Sequence, residues 1–360
     1  MRVALVVDDL IQRGGQEFLF KNLCDEYKDA DIYTSLISSA WEDTFQNRNV
    51  YTSFLQKIPL ASRFGKIFVL FGLFNIAFLN FNFSKYDLVI SISSRFSHLL
   101  NIKYPTKHIV YINSPSRYLW APYTYFSNNM MPKLLSPIFS LLRIMDVFFM
   151  RKPDCIVSNS EHIQKKVAKI YRRYSEVIHP FAGDIPNGIS SENNLGDYYL
   201  VITRIVPWKK IDIAIEAFRL ISSKLYIVGE GDRGYVDQLL HIAPNNVSFL
   251  GRVGESEKYK LLKHAKALIM TQEEDFGISA IESMSVGTPV IAFGSGGAKH
   301  TVVKGITGVH FDEQNPQSLL NALSELNSLV IDREILVKVA SKYSRRGFFE
   351  KLNILISNTL

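Results

Sequence analysis

The sequence predicts an α/β protein of two open domains in tandem, each a parallel sheet covered by helices. Short apolar, β-branched runs alternate with longer amphipathic stretches almost throughout. The alternation breaks at 179–197 into HPFAGDIPNGISSENNLGD, whose Gly, Pro, Asn and Ser content marks a linker or domain boundary. At 360 residues the chain is too long for one ordinary domain and suits two.

In the first half, strands are expected at Val3–Val7, Asp87–Ile92, His108–Ile112 and Cys155–Ser158. One helix follows Gly15, and another starts after Ser160, where S-E-H-I-Q offers an N-cap with an acid in the first turn. In the second half, strands are expected at Tyr199–Thr203, Leu225–Val228, Val247–Leu250, Ala267–Met270, Val290–Phe293 and Gly308–Phe311. Asp212–Ile221 has helical spacing, and 316–360 reads as wholly helical. The domain limits are set at 1–185 and 186–340, with 341–360 a helix that packs back on the first domain. Sheets of this kind bind ligands at the carboxyl ends of their strands, so the cleft between the domains is the default site.

Composition narrows the class. Apolar residues make up 47% and charged residues 21%, which is globular and gives no sign of a disordered tail. MRVALVVDDL reads as a first strand, because a signal peptide needs a longer apolar core and a small-residue cleavage site. A membrane span needs about 18 uninterrupted apolar residues. The nearest approach, 64–83, is broken by Lys66, Asn75, Asn80 and Asn82. The segments 54–83 and 130–152, with Lys57, Arg63, Lys66, Lys133, Arg143, Arg151 and Lys152 nearby, either seat the first domain on a bilayer or form buried core helices. A net charge of +7 suits a phosphorylated substrate, an anionic membrane or nucleic acid, but no nucleic-acid motif accompanies the dispersed basic residues. Cys24 and Cys155 are expected as reduced thiols of a cytoplasmic protein.

Three constellations carry chemistry. In EDFGISAIE, seven residues separate Glu274 from Glu282 directly after an expected strand. Glu274 in the loop either accepts sugar hydroxyls or simply complements the helix dipole, and Glu282 inside the helix is placed to accept from a ribose. In TRIVPWKKID, Arg204 and Lys209 just past a strand suit a diphosphate, or else form a solvated loop. In RGGQE, Gly14 and Gly15 lie between a strand and a helix, where backbone N–H groups could meet a phosphate; a plain turn is the alternative, and SGG at 295–297 is similar.

With these motifs in this order, the sequence resembles the retaining family 4 glycosyltransferases of GT-B fold, two Rossmann-like domains facing each other across a cleft. The resemblance is densest over 197–311, in DYYLVITRIVPWKKIDIAIEAF, LYIVGEGD, NVSFLGRV, EEDFGISAIESMSVGTPVIAFGSGGA and TGVHF, and extends to GGQE and YINSPSRYLW in the first half. It implies an acceptor-binding first domain and a nucleotide-sugar-binding second domain. Arg204 and Lys209 would neutralise the donor diphosphate, Glu274 would hold the transferred sugar beside backbone groups of Phe276, Gly277 and Ile278, and Glu282 would bind the ribose. Gly14 and Gly15 would reach the phosphates, and Asn113, Arg117, Tyr118 and Trp120 would serve the acceptor. Asn113 stands where the family carries histidine, and His300 where it carries glutamate.

The resemblance implies a hexosyltransferase of bacterial surface-polysaccharide type, mannosyltransferase-like, with GDP-mannose as donor and a lipid-linked oligosaccharide as acceptor, at the inner face of the cytoplasmic membrane. The alternatives are a non-catalytic nucleotide-sugar or glycan-binding protein and a nucleotide-sugar epimerase. No cofactor or metal is expected. Asp29-Ala-Asp31 falls at an expected helix end, the eight histidines are not clustered, and Arg204 and Lys209 already supply positive charge.

Overall fold

The β-branched runs do form strands, and the helices between them return the chain so that every strand pairing is parallel. The structure is a computed structural model that describes residues 1–58, 73–126, 133–187, 189 and 196–360. It divides into Met1–Ile178 with Lys351–Leu360, and His179–Glu350.

Among the described residues, the first unit holds β1 (Val3–Val7), β2 (Asp31–Thr34), β3 (Val50–Thr52), β4 (Leu88–Ser93), β5 (Lys107–Ile112), β6 (Cys155–Ser158) and β7 (Glu176–Val177). Their order is β3-β2-β1-β4-β5-β6-β7. VALVV and LVISIS are buried at every position, as strands covered on both faces must be, and this is why their apolar runs were legible. DIYT, VYT and EV are short and mixed in polarity, so β2, β3 and β7 left no comparable signal. Asp31 opens β2 rather than ending a helix, and its carboxylate takes Lys85 Nζ and Asn49 Nδ2, each at 2.9 Å.

The helices used below are α1 (Gly15–Glu26), α2 (Arg117–Trp120), α3 (Ser136–Phe149) and α4 (Glu161–Tyr171). Ser160 caps α4, its hydroxyl accepting from Ile163 N at 3.2 Å. Cys24 in α1 and Cys155 in β6 are free thiols. Where described, the aromatic-rich segments feed the core: Phe74, Phe78, Phe139 and Leu142 are buried together. The other face of α3 is exposed, at Leu141, Ile144 and Phe148. Arg63 and Lys66 lie outside the described residues. Among those described, no helix is long and apolar enough to cross a membrane.

The second unit holds β8 (Tyr198–Ile202), β9 (Lys224–Val228), β10 (Val247–Gly251), β11 (Leu268–Met270), β12 (Val290–Phe293) and β13 (Gly308–Phe311), in the order β10-β9-β8-β11-β12-β13. Its helices are α5 (Ile211–Phe218), α6 (Arg233–Ile242), α7 (Glu255–His264), α8 (Ile278–Ser285), α9 (Ala298–Thr301), α10 (Pro316–Ser328) and α11 (Arg333–Ala340), and the last helix, α12 (Arg345–Thr359), starts in it and ends in the first unit. The stretch read as wholly helical is therefore three helices. Asn315 and Asp332 start two of them by accepting from Ser318 N at 2.7 Å and Glu334 N at 2.8 Å.

The division falls at Ile178, before the Gly/Pro-rich stretch ends, for a physical reason. Ile178 still pairs with β6 through its N–H to Ser158 O and accepts from Tyr111 OH at 2.8 Å. His179 stacks on Phe276 at 5.6 Å, and Phe181 packs on Phe348. In both sheets the strand order reverses once, between β1 and β4 and between β8 and β11. Each reversal splays the following loops apart and leaves a crevice at the carboxyl ends of the two strands.

Candidate functional site

The expected donor residues gather at the second reversal. Arg204 follows β8 and is exposed, with its guanidinium 5.3 Å from the Trp208 ring centroid. Lys209 ends the one-turn segment Pro207–Lys209, and its carbonyl accepts from Thr271 Oγ1, just past β11, at 2.7 Å. Glu274 follows on the β11 side. Lys209 Nζ and Glu274 Oε1 form an ion pair at 2.6 Å, both side chains about 15% exposed, and Gln272 Nε2 also donates to Oε1. A cation and a carboxylate from two strand ends thus meet over the crevice. Each is stabilised by the other and, like the Lys258–Glu282 pair, keeps only a small exposed edge.

The glycines around Glu274 have steric reasons. Gly277 stands before α8 at φ +94, a conformation costly for other residues, and it frees the helix N-terminus from a side chain. SGG at 295–297 is more than a turn. A Cβ on Gly296 would overlap the Glu274 carbonyl oxygen, and one on Gly297 would overlap that of Asp275. Gly297 N donates to Glu274 O at 2.5 Å, so the two glycines let the loop after β12 clamp the loop after β11. Phe276 contributes backbone only, since its ring is buried between His179 and Tyr343. Ile278, the first residue of α8, is partly buried. His300, on α9, is exposed.

Glu282, one helical turn into α8, does not face open solvent. Its side chain is 12% exposed and Oε1 takes Lys258 Nζ at 2.9 Å. Burial pushes its carboxyl above the usual range, with Lys258 opposing. Any ribose contact would have to share this carboxylate with Lys258, a partner that the sequence did not suggest.

At the first reversal, Gly14 and Gly15 are exposed at the N-terminus of α1. Gly14 is extended, at φ −160, so this glycine is not required by backbone strain. Asn113 follows β5, and its buried Nδ2 has no hydrogen-bond partner among the described residues. A buried donor left unmade costs about 1–3 kcal/mol. Arg117 is partly exposed on α2. The Tyr118 side chain, expected to serve the acceptor, is instead fully buried in the first unit's core beside Leu119. Trp120 is half-buried, and its Nε1 is engaged by Asp146 Oδ2 at 2.7 Å, so only the ring remains available.

The sequence also hid an acidic core at this reversal. Asp8 is fully buried and accepts from Ser94 N at 2.8 Å, Phe96 N at 2.9 Å, Ser97 N at 2.7 Å and Gln16 Nε2 at 3.0 Å. It therefore joins the β1 and β4 loops to α1. Asp9 is buried against Arg95, burial raising its carboxyl while the guanidinium opposes. The available signal was the Asp-Asp pair directly after β1.

Comparison with known proteins bears on the second unit and on the fold as a whole. A sequence profile described as "Glycosyl transferases group 1" matches residues 189–343. An uncharacterized glycosyltransferase of Methanocaldococcus jannaschii is 28% identical over 206 residues, 55% of this chain and 56% of that protein. The alpha-1,3/1,6-mannosyltransferase ALG2 of Dictyostelium discoideum is 28% identical over 205 residues, 48% of this chain and 49% of that protein. The chain thus spans about half the length of these curated relatives. In structure, Anabaena HepE in complex with UDP-glucose superposes with a TM-score of 0.70 over 99% of this chain and 100% of its own, at 18% identity. A glycosyltransferase from Rickettsia africae gives 0.66 at 15% identity, over 99% and 98%. The chain therefore has the GT-B fold of two Rossmann-like units, and its segment 189–343 matches the glycosyl transferases group 1.

Proposed function

We propose that the protein is a retaining, metal-independent glycosyltransferase that moves mannose from GDP-mannose to a lipid-linked glycan in surface-polysaccharide synthesis. The observation that carries this reading is the Lys209–Glu274 pair at the second reversal, with Arg204 alongside and the Gly277 helix start next to it. The donor diphosphate would take over Lys209 and engage Arg204, and the sugar hydroxyls would take over Glu274. The bond from the anomeric carbon to the phosphate oxygen breaks, leaving its electron pair on phosphate, where the two cations stabilise it. The acceptor hydroxyl attacks from the same face and gives its proton to the departing phosphate, so no protein base is required. Asn113 Nδ2 would donate to the acceptor oxygen, a role an amide can fill in place of histidine.

The mannosyl choice is supported by the ALG2 relatives, and the surface of α3 supports a lipid-linked acceptor. Leu141, Ile144 and Phe148 are 60%, 68% and 54% exposed along one face, and exposed Arg151 and Lys152 follow at its end. Such a face suits peripheral contact with an anionic bilayer on the cytoplasmic side. A UDP-hexose donor is the second reading, favoured by the fold shared with HepE, which was solved with UDP-glucose.

A thermal-shift series with GDP-mannose, UDP-glucose, GDP and UDP, with and without EDTA, tests the donor. A GDP-mannose-selective rise in Tm that survives EDTA and is lost in Glu274→Ala supports the proposal. A selective UDP-glucose rise transfers it to the second reading, and no response to any nucleotide overturns both.

A further inference from the structure

Asp146 lies on the inward face of α3 and is fully buried. Its carboxylate accepts from three separate elements: His98 Nε2 at 2.8 Å, Trp120 Nε1 at 2.7 Å and Tyr171 OH at 2.9 Å. His98 is anchored in turn, its Nδ1 lying 2.8 Å from Ser93 Oγ at the end of β4. With Nε2 carrying the hydrogen and Ser93 donating to Nδ1, every member of this network is satisfied. One turn before Asp146, Arg143 donates from Nε to Leu119 O at 2.8 Å, and its guanidinium lies 5.9 Å from the Trp120 ring centroid. Thus α3 grips residues 119 and 120 of α2 from two sides.

Stability alone gives a weak account of this acid. Apolar side chains of similar volume commonly serve as well or better than buried ionic groups, whereas an acid with directional partners fixes one geometry. Tyr171 and His98 would hold Asp146 in place without any help from Trp120, yet the indole is bound to it. We propose that Asp146 is a positioning residue: through His98 and Tyr171 it is held fixed, and through Oδ2 it sets the orientation of the Trp120 indole, the half-exposed ring of the Arg117–Trp120 segment, and thereby the pose of the acceptor glycan. The last step rests on the acceptor-side reading above. The first does not.

Asp146→Asn is the mild probe. It keeps the shape, and the network accommodates it if the amide nitrogen turns toward His98 and the ring exchanges its hydrogen between nitrogens. Trp120 then meets a neutral oxygen in place of a charged one. The test has two readouts. In protein with Trp41→Phe and Trp208→Phe, Trp120 is the sole indole, and Asp146→Asn is expected to shift its emission and raise its quenching by acrylamide. In transfer from GDP-mannose to a prenyl-diphosphate-linked oligosaccharide, Asp146→Asn should raise the acceptor KM on the order of tenfold, as for a weakened charged hydrogen bond, with donor KM unchanged. Trp120→Phe should do likewise, and the double variant should be no worse than Trp120→Phe alone. Additive losses, or a donor KM that moves with the acceptor KM, would reduce Asp146 to a fold-stabilising group and overturn the proposal. Should the wild-type protein transfer nothing from any donor, the proposed function falls while the emission readout still decides the positioning. An unchanged Trp120 spectrum then overturns it.

Discussion

The two units are built alike, each a parallel sheet that reverses strand order once, yet they hold their polar groups in opposite ways. At the second reversal Arg204 is exposed, and Lys209 and Glu274 are partly buried and paired with each other. At the first, Asp8, Asp9 and Asp146 are sealed in the interior and locked by directional donors, and little more than Asn113, Arg117 and the Trp120 ring reaches outward. The difference teaches that the same strand reversal can carry its charges as a partly exposed ion pair or seal them among directional donors. An accessible ion pair gives up its partner at little cost, whereas a buried one cannot.

This contrast predicts the largest effect at the exchangeable pair. Glu274→Ala should abolish transfer while leaving the melting temperature nearly unchanged, as read by product analysis beside calorimetry; full activity would remove Glu274 from the site. Lys209→Ala should slow turnover by a factor of 10²–10³, roughly 2.7–4 kcal/mol, comparable to loss of one preorganised electrostatic group. An unchanged rate would make Lys209 a surface residue and dissolve the comparison.

Next comes the clamp behind Glu274. Gly296→Ala should destabilise the protein by about 1–3 kcal/mol through overlap with the Glu274 carbonyl, and by a further ~1–2 kcal/mol because Gly296 is left-handed at φ +72. Urea denaturation measures this, and a neutral result would show that the two loops are free to part.

The sealed character of the first unit is sharpened by pH. His108 is buried with Nε2 2.9 Å from Ser91 Oγ, and burial depresses its pKa to about 3, with His98 adding to the effect and Asp154 opposing it. Between about pH 6.5 and 3 the unfolded chain therefore binds a proton that the folded chain refuses. Stability present above pH 6.5 should fall toward pH 3, by up to about 1.4 kcal/mol per pH unit from this residue. Denaturation midpoints of His108→Asn against wild type over that window should show a shallower slope in the variant, and equal slopes would mean that the imidazole is protonated in place. The smallest effect is expected at Ile144→Glu, which should change stability by no more than about 0.5 kcal/mol while reducing co-sedimentation with anionic vesicles; undiminished sedimentation would remove α3 from any bilayer contact.

The legibility of the site followed the same divide. Arg204, Lys209, Glu274 and Gly277 stood out in the sequence because each lies in a segment after an apolar strand, where packing alone calls for neither charge nor glycine. Asp146 was unreadable because SPIFSLLRIMDVFF looks like any amphipathic helix with a few polar residues, and nothing in the order of residues shows that His98, Trp120 and Tyr171 converge on it. The burial of Tyr118 and Leu119 between the partly exposed Arg117 and Trp120 could not be read from the segment, because which residues of a single turn are buried depends on how that turn is seated.

By itself, the sequence determined the two-domain α/β architecture and ten of the strands, most plainly where burial on both faces writes an unbroken apolar run into the chain, as in β1 and β12. Only the tertiary structure decided that Lys209 answers Glu274, that Lys258 occupies Glu282, and that Gly296 and Gly297 clamp the loop after β11. Partners like these are brought together by how strands are ordered in a sheet. That order follows from the packing of the whole unit, and no local stretch of residues encodes it.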